Sequence, residues 1–137
     1  TGYTLGKTGG TDLVPDAEAN PAPLVQANQV YELRTYTAPD GKLDNLLARF
    51  RDHTMEIFER HGMTNHGYWL PQDEELRQNT LIYLISHDSR TAGQQSWDNF
   101  RQDPEWQRVS EESQRDGRIV ANVENIWLDP TDFSRMK

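Results

Sequence analysis

The sequence contains no cysteine, which excludes disulfides, thiolate metal centres and a cysteine nucleophile, and leaves the redox compartment open. Basic residues are scarce. Fourteen lysines and arginines stand against 22 aspartates and glutamates, a net charge of -8 with no basic stripe, which argues against nucleic acid and anionic membrane surfaces as partners. No apolar run reaches the 18 or more residues of a membrane span. Apolar residues make up only 34% of the 137, and mean hydropathy is -0.90.

What compensates is aromatic: four tryptophans, five tyrosines and four phenylalanines, each able to bury a large area. A core of few, large side chains often closes a cavity or is completed by a partner subunit. The length suits one domain. Thr1 in place of an initiator methionine is compatible with trimming of a methionine or removal of a targeting segment, so the compartment, cytoplasmic or exported, is left unassigned.

Residues 1–29 are rich in glycine, proline, threonine and alanine, and their scattered aliphatics follow no helical or strand period. They are expected to form an extended N-terminal arm that wraps its own core or crosses to a neighbouring subunit. The folded domain is expected over 30–137.

The domain begins with Val30 to Thr37, VYELRTYT, a run of strand formers closed by the turn Ala38-Pro39-Asp40-Gly41. Val30, Glu32, Arg34 and Tyr36 point to one face, and Tyr31, Leu33, Thr35 and Thr37 to the other. With Asp40 as N-cap, a helix is predicted over 42–61, its stripe formed by Leu43, Leu46, Leu47, Phe50, Thr54, Ile57 and Phe58, its end marked by His61-Gly62. His53 falls on the stripe's edge. A second strand is predicted at 64–70, a polar loop at 72–79, and a central strand, TLIYLIS, at 80–86. A second helical region opens at Ser89 or Thr91, turns inward at Trp97 and Phe100, and restarts at Asp103-Pro104, an aspartate cap with proline at the first helical position. The last strand is predicted at 119–128. This βαββαβ order predicts an α+β, ferredoxin-like fold: a four-stranded antiparallel sheet with both helices on one face. The bare face predicts a homodimer packed sheet against sheet.

Several pieces together resemble a known family. They are Tyr31-Glu32-Leu33-Arg34-Thr35-Tyr36, Gly41-Lys42-Leu43, His61-Gly62 and Gly67-Tyr68-Trp69. Trp97-x-x-Phe100 with Asp103-Pro104-Glu105-Trp106 follows, and Leu128 with Pro130-Thr131-Asp132-Phe133-Ser134 ends the match. In order and spacing, residues 30–134 resemble the NIPSNAP family, a branch of the dimeric α/β-barrel superfamily. The resemblance implies α/β-barrel dimers whose activities are mostly unassigned, with eukaryotic relatives associated with mitochondria and with vesicle or damage signalling. Related branches include cofactor-independent oxygenases, lactone isomerases and haem enzymes, which would reach this chain by fold analogy alone.

Chemistry is sparsely marked. The four histidines, His53, His61, His66 and His87, show neither HxH nor HExxH spacing, and His53 and His61 lie too far apart along one helix to share an ion. No metal and no cofactor are expected; His53 is the one candidate for a haem ligand. The serines lack a nucleophile-elbow pattern. Arg34 remains, with Glu32 and Tyr36 on its strand face. It could hold a carboxylate or enolate, with Tyr36 or Tyr83 adding a hydroxyl, or it could order the sheet by pairing with Glu32 or with Glu124 across strands. Trp69 and Trp127 are placed to line a cleft or an interface. The resulting expectation is a dimer that binds a small hydrophobic or carboxylate/enolate ligand at Arg34, Tyr36, His53, His66, Trp69 and Tyr83. The alternatives are a small cofactor-independent oxygenase or isomerase with His53 or His66 moving a proton, and an interaction protein docking through its arm.

Overall fold

A computed structural model describes residues 29–137 of the chain. The expected N-terminal arm therefore lies outside the described residues, apart from Gln29. Four strands form one antiparallel sheet in the order β2-β3-β1-β4: β1 is Val30–Thr37, β2 Thr64–Trp69, β3 Thr80–His87 and β4 Asn122–Leu128. This is the ferredoxin-like arrangement expected from the element order. Among the described residues no helix is long and apolar enough to cross a membrane.

β1 and β3 are the inner strands, in register from Val30 opposite His87 to Thr37 opposite Thr80. Because side chains alternate, Glu32, Arg34 and Tyr36 share the helix-covered face with Leu81, Tyr83, Ile85 and His87. On β4 that face carries Val123, Asn125 and Trp127. The strand is shorter than predicted: Ile119 is fully buried in the core ahead of it, and pairing starts only at Asn122.

After β1 the chain turns through Gly41, whose φ of 76° favours glycine. The first helix is α1, Leu43–Arg49, and Asp40 does not cap it: the N-cap is Lys42, with no side-chain hydrogen bond. The predicted single helix is interrupted by a π-helical turn at Phe50–Thr54 before α2, Met55–Arg60. Here Met55 N–H bonds the Phe50 carbonyl, five residues back, and Thr54 Oγ1 donates to the Arg49 carbonyl at 3.2 Å. Thr54 faces inward, as its place on the stripe predicts, and His53 lies outside. Gly62, with φ of 85°, ends the helical run, as expected.

The predicted polar loop holds one helical turn, α3, Glu74–Arg77, capped by Asp73. α4, Arg90–Gln102, is capped by Ser89, whose Oγ accepts from Ala92 N–H at 3.0 Å. α5, Pro104–Ser113, starts at Asp103, whose Oδ1 accepts from Glu105 N–H at 2.8 Å, with proline at its start. The core between sheet and helices is largely aromatic. Tyr83 lies at its centre, with Phe50 (5.0 Å between ring centroids), Tyr68 (4.9 Å, stacked) and Tyr36 (5.4 Å) around it. Phe58, Trp97 and Phe100 extend the cluster to α4.

Candidate functional site

The polar residues on the helix-covered face of β1 form one connected network. At its inner end is Glu32, fully buried. Its Oε1 accepts from Trp97 Nε1 (2.9 Å) and faces His87 Nε2 (2.9 Å), and its Oε2 accepts from Arg34 Nη1 (2.7 Å) and Asn125 Nδ2 (2.8 Å). Burial pushes this carboxyl's pKa upward. The bonds from His87 and Trp97, the Arg34 charge and the Asn125 amide outweigh it and hold the pKa at about 2. Glu32 is therefore ionised, and His87 Nε2 is the donor to it.

Arg34 is held on three sides. Nε donates to the Tyr83 hydroxyl at 2.9 Å, Nη2 to the Tyr36 hydroxyl at 3.3 Å, and the guanidinium lies over the Trp97 ring at 4.2 Å. Burial opposes its charge, but the tyrosine oxygens and Glu32 favour it more, and its pKa is raised. Its charge is thus balanced by Glu32, while its side chain remains 14% exposed. The neighbouring positions on β4, Val123 and Asn125, are also exposed, so this end of the network reaches the surface.

The two hydroxyls leave a donor over. Tyr83 and Tyr36 are 3.1 Å apart and share one hydrogen bond, and Arg34 can only donate to them. Two phenolic protons with one mutual bond leave one proton without an acceptor among the described residues. Burial raises the pKa of Tyr83 well above that of a free tyrosine, so it stays protonated at neutral pH.

Of the residues singled out in the sequence, the structure brings Arg34, Tyr36 and Tyr83 together and separates the others. His53 is exposed on the outer side of the π-helical turn, not facing the core as a haem ligand would. His66 stands on the helix-free face at a bulge in β2, with Nε2 2.8 Å from Ser86 Oγ and its ring 5.2 Å from that of Tyr31. Trp69 is 53% exposed on that same face. The pairing of Arg34 with Glu32 is present, whereas the suggested bridge to Glu124 is not: Glu124 lies opposite Thr35, on the other side of the sheet.

Sequence reasoning missed His87, Trp97 and Asn125 as members of the network. His87 continues the alternation Tyr83, Ile85, His87 along β3, so its face was readable once the strand was extended by one residue. Trp97 is expected to turn inward, but nothing local ties it or Asn125 to Glu32, which both meet only through the fold. Among the described residues no three histidine or acidic side chains converge as a metal ion would require.

Comparison with known proteins places this geometry in context. The NIPSNAP family model matches residues 31–135. No curated protein sequence matches. Among solved structures, a NIPSNAP family protein of unknown function from Agrobacterium tumefaciens is 22% identical with a TM-score of 0.68, covering 81% of this chain and 96% of that one. A NIPSNAP-like domain protein from Burkholderia xenovorans is 18% identical with a TM-score of 0.67, covering 79% and 90%. SnoaB, a cofactor-independent oxygenase from Streptomyces nogalater, is 13% identical with a TM-score of 0.54, covering 80% and 99%. At these identities the likeness is one of fold.

Proposed function

The chain belongs to the NIPSNAP family, and from that premise we propose that it binds a small, largely hydrophobic ligand through an acceptor oxygen of carbonyl, enolate or carboxylate type at Arg34, Tyr36 and Tyr83. The observation that carries this reading is the leftover phenolic proton of the Tyr36–Tyr83 pair, next to a guanidinium that is fixed on three sides and still reaches the surface. A donor with no acceptor in a largely buried place costs free energy unless a ligand oxygen or water meets it. Glu32 supports the reading by neutralising Arg34: a weakly charged oxygen can then bind without a large electrostatic mismatch, and the surroundings are apolar, with Trp97 against Arg34 and Phe50 against Tyr36.

The enzymatic alternative used His53 or His66 to move a proton, and neither stands beside Arg34. Binding is the reading we retain. It includes a homodimer formed through the helix-free face, where Trp69, Ile126 and Leu128 are exposed next to half-buried Leu33, Ile82 and Leu84.

The test is a panel of phenols, enolisable diketones and aromatic carboxylates, scored by thermal shift and tryptophan quenching. We expect members of the panel to raise the melting temperature of the parent. Tyr36→Phe and Arg34→Met should remove that response while the fold persists. A panel without effect, or binding unchanged in both variants, would overturn the reading.

A further inference from the structure

A groove of about 330 Å³ lies on the helix-free face, between the end of the sheet and the C-terminal segment that follows β4. Its floor is Tyr31, Leu84 and Leu128, one from each of β1, β3 and β4, and Pro130 and Met136 belong to its wall. Among the described residues Asp129 is the only charged one that lines it. The same segment carries the most exposed large apolar side chain of the described residues, Phe133, at 83%. Hydrogen bonds hold that ring out. Ser134 N–H donates to the Thr131 carbonyl at 3.1 Å and closes a turn with Asp132 and Phe133 at its tip. Ser134 Oγ donates to the Met136 carbonyl at 2.7 Å, and Lys137 Nζ donates to the Asp132 carbonyl. Thr131 and Ser134, at the base of the turn, line the groove, whereas Phe133 does not. An aromatic ring is thus displayed to water beside an apolar hollow, at a cost in free energy that lasts until something covers it.

We propose that this groove receives Phe133 of a second copy of the chain, each copy seating its ring in the groove of the other. The proposal rests on the dimer reading above and adds the contact that locks the two copies together. Three observations select a second copy as the occupant. Knob and hollow lie on one short segment, so a single two-fold axis makes both contacts at once, as an isologous interface requires. Leu84 and Leu128, in the floor, belong to the face through which the copies are proposed to meet, so the groove continues that surface. The hollow also matches an uncharged ring: it is mainly apolar, and its volume is at the low end of the range for ligand pockets, which begins at about 300 Å³. Because the turn is already closed by hydrogen bonds, docking Phe133 orders little additional backbone.

The experiment measures the dimer dissociation constant of the full chain by sedimentation equilibrium. Phe133→Ala should raise it by about tenfold or more, as loss of a central aromatic anchor does, and Phe133→Asp at least as far. The far-ultraviolet circular dichroism of both variants should match the parent's, since a side chain this exposed supports no core. The absence of cysteine allows a second readout by disulfide trapping. Phe133→Cys and Met136→Cys chains, mixed and oxidised, should give a cross-linked dimer in higher yield than either variant oxidised alone, because position 133 of one copy then faces the groove wall of the other. A dissociation constant unchanged in Phe133→Ala and Phe133→Asp would overturn the proposal, and would leave the groove to a small ligand or a different protein. A mixed cross-link no stronger than those of the single variants would overturn it as well. If Ile126→Lys dissociates the dimer while both Phe133 variants remain dimeric, the helix-free face stands as the interface and only this contact fails. A monomeric parent overturns both.

Discussion

Glu32 and His87 meet at 2.9 Å with both side chains 1% exposed, and this contact sets the hydrogen on the imidazole. An ionised Glu32 needs a donor at His87 Nε2, so Nδ1, which is buried and has no partner among the described residues, is the side turned toward α4. Among the described residues the carboxylate accepts four donors, two on each oxygen.

A pH dependence follows from the depressed pKa of Glu32, about 2 against an ordinary 4.5. A lowered folded-state value means that the stabilisation is fully present above about pH 4.5 and is lost as pH falls from there toward 2. For a group this buried, the linked contribution is on the order of 3 kcal/mol. Glu32→Gln should cost about 3–5 kcal/mol at neutral pH, as removal of one member of a buried ion pair does. Urea unfolding at a series of pH values should show the gap between parent and variant narrowing below pH 4.5. A gap constant down to pH 2.5 would mean that the carboxylate charge contributes nothing.

The close side of His87 explains a glycine. A Cβ added at Gly93 on α4 would meet His87 Cγ at 2.7 Å and Trp127 at 2.9 Å. Glu32 pins the imidazole, so it cannot swing away. Alanine normally gains about 1 kcal/mol over glycine inside a helix, but overpacking a filled core costs about 1–3 kcal/mol. Gly93→Ala should therefore lower the melting temperature. Gly67→Ala is the control: its Cβ would meet the Trp69 ring at 2.5 Å, but that ring is 53% exposed in the single chain and no hydrogen bond among the described residues pins it. Its effect should be the smaller of the two.

These contacts show why only part of the site was legible beforehand. The faces of β1 follow from period-two alternation, so Glu32, Arg34 and Tyr36 could be grouped from the sequence. Tyr83 joined them because the strand order places β3 beside β1. Trp97 is 65 residues from Glu32 and Asn125 is 93 away. Their meeting depends on helix placement and strand register, which no local pattern encodes. His53 was misjudged for a local reason: α-helical spacing puts it at the edge of the apolar stripe, but in the π-helical turn it lies outside, while Thr54 keeps the inner position its spacing predicts. The N-terminal arm lies outside the described residues.

Trp97 carries two roles that substitution can separate. It is buried against Phe58 and Phe100, and its Nε1 donates to Glu32 at 2.9 Å. Trp97→Phe keeps most of the volume and removes the donor, which should cost about 1–3 kcal/mol. Trp97→Ala also opens a cavity and should cost about 3–5 kcal/mol. Equal losses in the two variants by chemical denaturation would show that the hydrogen bond, not the packing, dominates.

Asp103 joins two helical regions. Its Oδ2 is 2.7 Å from both His61 Nε2 and Arg60 Nη2, while Oδ1 caps α5. The hydrogen bond with His61, followed by those from Arg60 and the Glu105 backbone, holds its carboxyl well below the ordinary range despite some burial. Asp103→Ala removes the cap and should cost about 0.5–2 kcal/mol. Asp103→Asn should retain part of the capping but lose the attraction to Arg60. A melting temperature for Asp103→Ala equal to the parent's would show that the cap is dispensable.

The helix-free face gives the last prediction. Ile126 is 57% exposed, directly opposite Leu33, and Trp69 and Leu128 are exposed on the same side of the sheet. A stable dimer buries about 800 Å² per partner, and a face of this composition supplies apolar area at its centre. If two copies meet there, a charge at position 126 must be desolvated without a partner, which costs several kcal/mol. The same charge on an exposed strand residue of a monomer should change stability by no more than about 0.5 kcal/mol. Ile126→Lys should therefore convert a dimeric parent into a folded monomer, as read by light scattering and circular dichroism across a dilution series. A parent that is monomeric throughout the micromolar range, or a variant that remains dimeric, would rule out this face as the dimer interface.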